Sequence, residues 1–305
     1  MCIRDRGSVN TNIRGDYLLR YRIGNNSVGI EELTRVVRVF DDTPTQQSQR
    51  VRGSTAASVG YLEHLPANYG QRTKQKAPLI IFNHGSGASG TGDLDDVECC
   101  GLPNILDSND WDVTLPFVVL SPQATINVPV DVDELDQFIE YAIETYDVDP
   151  QRIYMAGWSR GAYATVLYSV AYPDRLAAMV PTAGGFFLGI PSNVCDASDV
   201  PMWFFLGNQD TNFIINTGLS TANAYRNCNP APTEPVRLTR FINADHFDTS
   251  NFPFLPEQNF AIDPSSDAID QSIFDWLLSH GPQVEPESDL FVIPVPNNGA
   301  VIFGL

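Results

Sequence analysis

The run from Arg152 to Thr165, RIYMAGWSRGAYAT, constrains this chain more than any other, because it spells G-x-S-x-G at Gly157-Trp158-Ser159-Arg160-Gly161. The residues just before Ser159 are apolar, aromatic or glycine, and those after it are first small and then apolar at helical spacing. A strand, a sharp turn and a helix are therefore expected in succession. A serine at such an elbow takes a strained backbone conformation, so nothing bulky fits two residues to either side, and Gly157 and Gly161 meet that demand. The turn lifts Oγ clear of the sheet and aims the N-terminus of the next helix at it, where developing negative charge is stabilised. Ser159 is thus the candidate nucleophile, against the plainer alternative of a buried turn serine.

Length and charge narrow the partners. A chain of 305 residues buries one large core, or one core and a fragment. With 18 basic and 37 acidic residues the net charge is -19, which repels phosphate backbones and anionic membrane surfaces. Nucleic acid is not an expected partner. No stretch approaches the ~20 apolar residues of a membrane span. The acidic cluster Asp93, Asp95, Asp96 and Glu98 reads as a solvated loop, with a calcium site as the sharper alternative.

Cysteines stand at positions 2, 99, 100, 195 and 228. Setting Cys2 aside leaves four, which allow three pairings. Cys195 and Cys228 flank the strand PMWFFLG and the helix after it, so one bridge is expected there. With no Cys-x-x-Cys pair and no His/Cys cluster at ligand spacing a zinc site has little support, and no metal among the site residues and no cofactor are expected.

Taken in order, residues 1–6, MCIRDR, resemble a translated sequencing-adapter leader. Residues 7–42 alternate in the manner of short strands, with a turn at Gly24-Asn25-Asn26, and resemble the last strands of an immunoglobulin-like β domain. Residues 43–55 read as a polar linker. From 56 to 281, apolar strands such as APLIIFNHG, FVVLSP, RIYMAG, LAAMVPTAGG, PMWFFLG and VRLTRFIN alternate with helical stretches. That alternation implies an α/β fold, with a mostly parallel sheet covered on both faces. Residues 282–305 are acidic, then Pro-rich, then apolar. They read as a C-terminal extension, disordered or docked on the surface, the sharper alternative being the start of a surface-sorting signal, which they resemble.

HGSG after an early strand, DVDPQRIYMAGWSRGAYAT, AYPDRLAAMVPTAGG, LGNQD and ADHFDTS, in this order, resemble the α/β-hydrolase superfamily. Within it they look like the secreted esterases related to feruloyl esterases and polyester depolymerases, over residues 58–280. The resemblance implies an α/β-hydrolase fold and a serine esterase that is secreted or held at the cell surface, and the 15 residues between LAAMVPTAGG and PMWFFLG are too few for a large lid. It departs at Arg160, where a small or hydrophobic residue is common, and at Ala162, where many members carry a second glycine.

A serine hydroxyl needs a base within hydrogen-bond reach, oriented in turn by a carboxylate. In this fold the order is serine, acid, histidine. His64 and His84 precede Ser159, and His280 is explained as the C-terminal cap of a helix, which leaves His246 as the base. His84 is expected to shape its loop. Asp210 ends the strand PMWFFLGNQD on the same sheet edge as the elbow, whereas Asp245 and Asp248 are too near His246 in sequence to reach its ring easily. Asp210 is the expected acid. The backbone N–H groups of Ser86 and Arg160 are the expected oxyanion donors, and the Arg160 side chain is expected to pair with a surface acid, the alternative being that it lines the acyl pocket. Trp158, Phe186, Phe187, Phe213 and Phe247 fall at strand ends or loops on this side and are candidate substrate contacts, core packing being the alternative.

The expected substrate is a small-molecule ester or an ester in a polymer: a feruloylated polysaccharide, a polyhydroxyalkanoate or an aromatic polyester. The expected state is a monomer. A serine peptidase of the same fold and a non-catalytic adhesion module are the competing classes.

Overall fold

The computed structural model describes residues 2–6, 15–25, 29–39, 47–67, 69, 76–108, 110–255, 260–282, 291–295 and 299–303. The strands are β1 (Cys2–Arg6), β2 (Gly15–Asn25), β3 (Gly29–Val39), β4 (Ser48–Arg50), β5 (Tyr61–His64), β6 (Ala77–Asn83), β7 (Val118–Pro122), β8 (Val148–Trp158), β9 (Ala178–Thr182), β10 (Trp203–Gly207), β11 (Arg237–Phe241), β12 (Phe291–Val295) and β13 (Gly299–Phe303). The helices are α1 (Leu102–Asp107), α2 (Val132–Thr145), α3 (Arg160–Ala171), α4 (Asn212–Arg226), α5 (Asp248–Asn251) and α6 (Ile273–Leu278).

Eight strands form the central sheet in the order β11-β10-β9-β8-β6-β7-β5-β4. From β11 to β7 every pairing is parallel, and β5 and β4 close one end antiparallel. Strand β4 lies inside the segment read as a linker, so the sheet reaches back to Ser48. A three-residue edge strand needs no hydrophobic run, and its polar sequence hides it.

Both faces of the sheet are buried. Along β6, Leu79 and Ile81 pack on one side with Phe138 and Ile139 of α2 and Val166 of α3. Ile80 and Phe82 pack on the other side with Leu102 and Ile105 of α1 and Trp276 of α6. This is why the parallel strands read as unbroken apolar runs rather than alternating ones. Helix α2 begins where Asp131 Oδ1 accepts from the N–H groups of Asp133 and Glu134, at 3.1 and 2.9 Å.

The described parts of both terminal regions form a second, five-stranded antiparallel sheet in the order β1-β2-β3-β13-β12. Residues 1–6, read as a leader without fold signal, contribute β1, and the segment read as a C-terminal extension contributes the β12–β13 hairpin. Ladder pairing uses the backbone alone, so composition does not reveal it. Part of the turn expected at Gly24–Asn26 lies outside the described residues.

Candidate active site

Strand β8 runs into the elbow and α3 leaves it. Ser159 sits at φ 59°, ψ -116°, and its N–H is held by the Thr182 carbonyl at 3.0 Å. A Cβ on Gly157 would come within 2.3 Å of the Gly161 carbonyl oxygen, and one on Gly161 within 1.8 Å of the Asn83 carbonyl oxygen. Both glycines are therefore steric requirements of the turn, because the helix start is pressed against the ends of β6 and β8.

The three expected polar residues meet above the C-terminal edge of the sheet. His246 Nε2 stands 2.9 Å from Ser159 Oγ, and His246 Nδ1 stands 2.6 Å from Asp210 Oδ2. The Asp210 side chain is almost wholly buried, and its other oxygen accepts from the Thr211 N–H at 2.6 Å. With the carboxylate ionised, Nδ1–H donates to Asp210, which leaves the Nε2 lone pair to accept the serine proton. Asp245 instead accepts from the N–H groups of Phe247 and Asp248 at 2.8 and 2.9 Å, so it shapes the histidine loop without meeting the ring.

His84 and His280 are held in structural contacts. His84 Nδ1 donates to the Gly85 carbonyl at 2.6 Å and Nε2 accepts from the Ala124 N–H at 2.9 Å, a pattern that requires the neutral ring. Burial lowers its pKa to about 4. The His280 ring packs edge-on against Trp276, and burial lowers its pKa too. Its main-chain N–H closes the last turn by donating to Leu277, and its carbonyl accepts from the Tyr154 hydroxyl at 2.8 Å.

Arg160 corrects the sequence expectation. Its side chain is buried rather than at the surface: Nε donates to the Asn127 carbonyl and Nη2 to the Ile126 carbonyl, each at 2.7 Å. Burial lowers its pKa to about 10, against the field of Glu134. Glu134 in turn accepts from the Thr125 hydroxyl. Gln123 is held by Gly60, Thr91 and Asp93, and Ala124 by His84 and Gly90, so residues 123–127 are fixed one after another.

The end of that strip, Asn127, and Val128 after it stand on a cleft of about 260 Å³ lined also by Ser86, Ser159, Arg160, Gly184, Gly185, Phe187, Phe213, Ile214 and Thr217. Of the candidate residues, Ser86, Phe187 and Phe213 line this cleft, with Phe213 59% exposed. Phe247, 62% exposed, leans on Trp158 at the rim. Two candidate contacts are corrected. Phe186 is buried between Tyr163 and Tyr225 as core. Trp158 is buried, its ring 4.9 Å from that of His246, and its indole Nε1 donates to the His246 carbonyl at 2.8 Å. It braces the histidine rather than lining the cleft.

The sequence reading missed Asn127, Val128, Gly184, Gly185, Ile214 and Thr217 in the lining. The two glycines carried a usable signal, since they follow β9 at the sheet edge where a parallel fold places its ligands. A Cβ on Gly184 would come within 2.7 Å of the Ser159 carbonyl oxygen.

Among the described residues no group of three or more His, Cys, Asp or Glu side chains could hold a metal ion, and no helix is long and apolar enough to cross a membrane. Cys195 and Cys228 form the expected disulfide, and Cys99 and Cys100 stand as free thiols.

A mostly parallel sheet, a strained serine between β8 and α3, and an acid and a histidine after later strands define the α/β-hydrolase fold, and this chain has that fold. A solved thermostable esterase shares it with a TM-score of 0.55 at 20% identity, the match covering 88% of this chain and 72% of that one. No family model matches the chain. In sequence it is 26% identical over 150 residues to acetylxylan esterase A of Emericella nidulans, covering 47% of this chain and 48% of that protein. It is 35% identical over 153 residues to poly(3-hydroxyalkanoate) depolymerase C of Paucimonas lemoignei, covering 44% of this chain and 33% of that protein. The chain thus spans less than half the length of either curated relative.

Proposed function

We propose that this protein is a serine carboxylic-ester hydrolase that works through an acyl-enzyme on Ser159, with an ester in or on a polymer as its substrate. The observation that carries the proposal is the imidazole of His246, within hydrogen-bond reach of both Ser159 Oγ and Asp210. His246 takes the serine proton as Oγ attacks the ester carbonyl, then gives it to the departing alcohol. Water repeats the cycle on the acyl-enzyme. Asp210 holds the tautomer and stabilises the imidazolium. The backbone N–H groups of Arg160, at the start of α3, and Ser86 receive the oxyanion, each worth about 3 kcal/mol of barrier.

Three features favour a polymeric ester. The connection from β9 to β10 carries a single 3-10 turn, Val194–Ala197, and no lid helix. Val128 and Phe213 in the lining are exposed, as are Ile126, Leu188 and Phe247 in the segments beside it, which offers an apolar rim to a polymer chain. The two curated relatives are named for esters on xylan and for a polyester. Secretion or attachment at the cell surface fits such a substrate.

The test is burst release of p-nitrophenol from p-nitrophenyl butyrate by the full chain, followed by turnover of acetylated xylan, feruloylated arabinoxylan, polyhydroxybutyrate and polyethylene terephthalate films. A burst abolished by Ser159→Ala, with turnover of at least one polymer, is expected. Ester turnover that survives Ser159→Ala would overturn the mechanism, and activity confined to the soluble ester would overturn the polymer assignment.

A further inference from the structure

We propose that Cys99 and Cys100 are joined in a disulfide between sequence neighbours, a covalent brace beneath the loop that carries His246. The Cys99 and Cys100 sulfurs lie 2.8 Å apart. Even carbon atoms, which are smaller than sulfur, reach optimal contact only at about 3.5–4.0 Å, so these two are pressed together well inside ordinary touching distance. A disulfide needs about 2.05 Å, a small further approach.

The local backbone suits the ring. The 3-10 turn Leu94–Cys99 stops at the first cysteine, Cys100 is extended at φ -156°, ψ 152°, and Gly101 reverses the chain at φ 69°, ψ -145°. Only glycine serves at that last position. Its φ is left-handed, and a Cβ there would meet the Phe82 ring at 2.0 Å. Cys100 is buried in the core cluster on the α1 side of the sheet while Cys99 is exposed. Cys195 and Cys228 are already bonded to each other, and the Cys99 and Cys100 sulfurs are in direct contact.

The oxidation balances with a disulfide donor of the thiol-oxidoreductase class. The Cys99 thiolate attacks the donor disulfide and releases one donor thiolate. The Cys100 thiolate then attacks Sγ of Cys99 in the mixed disulfide and releases the second. Two cysteine thiols become one disulfide, one donor disulfide becomes two thiols, and two electrons pass to the donor. Cys99 is the exposed member, and the hydrogen bond between the two thiols lowers its pKa while that bond and burial raise the pKa of Cys100, so Cys99 attacks first and Cys100 gives up its proton only as it closes the ring. Adjacent Cα atoms lie about 3.8 Å apart, short of the usual ~4.4–6.8 Å span, so this bond is strained and more easily reduced than Cys195–Cys228, whose Cα atoms are 5.5 Å apart.

The ring sits one residue from a direct link to the site. The Gly101 N–H donates to Asn251 Oδ1 at 2.7 Å, and the Asn251 amide donates to Asn104 Oδ1 at 3.0 Å. Ser250 of the same helix α5 donates to the Phe247 carbonyl at 2.6 Å. A closed ring fixes Gly101, Gly101 fixes α5, and α5 begins two residues after His246.

Peptide mapping reads the bond whether or not the site hydrolyses esters. The full-length protein is denatured with iodoacetamide, with or without prior phosphine reduction, and the Asp-N fragment 96–106 is weighed. A fragment two hydrogens light and unalkylated, taking two alkyl groups only after reduction, is expected. Two alkyl groups without reduction, or a cross-link to another cysteine peptide, would overturn the bond. For the brace, mild reduction that opens 99–100 and spares 195–228 is expected to lower kcat on p-nitrophenyl butyrate about threefold or more with little change in KM. Cys99→Ser/Cys100→Ser is expected to match the reduced protein and ignore the reductant. A double variant as active as the oxidised protein would overturn the brace.

Discussion

The indole N–H of Trp158 donates a 2.8 Å hydrogen bond to the main-chain carbonyl of His246, with the two rings 4.9 Å apart. The residue just before Ser159 therefore holds the backbone of His246, and the proposed nucleophile and base share one brace. Trp158→Phe keeps a ring and removes the donor. It is expected to lower kcat about tenfold with KM nearly unchanged, measured on p-nitrophenyl butyrate, because the imidazole loses alignment and the carbonyl loses its partner.

Asp210 is expected to act through the tautomer of His246 rather than as a proton store. Asp210→Asn preserves shape but lets the amide favour the wrong tautomer, so kcat should fall on the order of 10⁴-fold while circular dichroism and the melting temperature stay close to those of the parent. A loss smaller than tenfold would show that another carboxylate orients the ring.

His84 makes folding sensitive to acid. Its pKa is near 6.5 in the unfolded chain and about 4 when buried, so between those values the unfolded state binds the extra proton. Stability is unaffected by this group above about pH 6.5, falls as pH drops toward 4, and loses on the order of 3 kcal/mol by the end. Urea denaturation across that range should show the slope, and His84→Asn should remove this group's share of it.

Arg160 should matter for the shape of the cleft. Arg160→Met removes the hydrogen bonds to the Ile126 and Asn127 carbonyls, which water can partly replace because both residues are exposed, and should cost about 1 kcal/mol per bond, read as a lowered urea midpoint. KM should rise more for bulky acyl esters than for acetate, since Asn127 and Val128 form the wall. Arg160→Lys should not restore both bonds, because an ammonium lacks the planar fork that reaches two acceptors at once.

The elbow was legible because its demand is local: a strained serine needs space on both sides, and two glycines provide it. Asp210 and His246 were legible because strand ends in a parallel sheet share an edge, so chain order limits which residues can meet there. The burial of Arg160 was not, since its acceptors are main-chain carbonyls 33 and 34 residues earlier, and a carbonyl leaves no mark in a sequence. Aromatic type likewise could not tell Trp158 and Phe186, which face inward, from Phe187 and Phe213, which line the cleft. The strands of the second sheet escaped notice where they lack alternation, because a hydrogen-bonded ladder asks nothing of the side chains.

Residues 123–127 are tethered in succession to five different parts of the fold, including α2 and α3. The freedom of that strip is given up once, when the chain folds, so a guest settling against Asn127 and Val128 surrenders only its own motion. Preference among guests then follows from the outline of a fixed surface, and altering it calls for replacing what protrudes from the strip rather than loosening the strip itself.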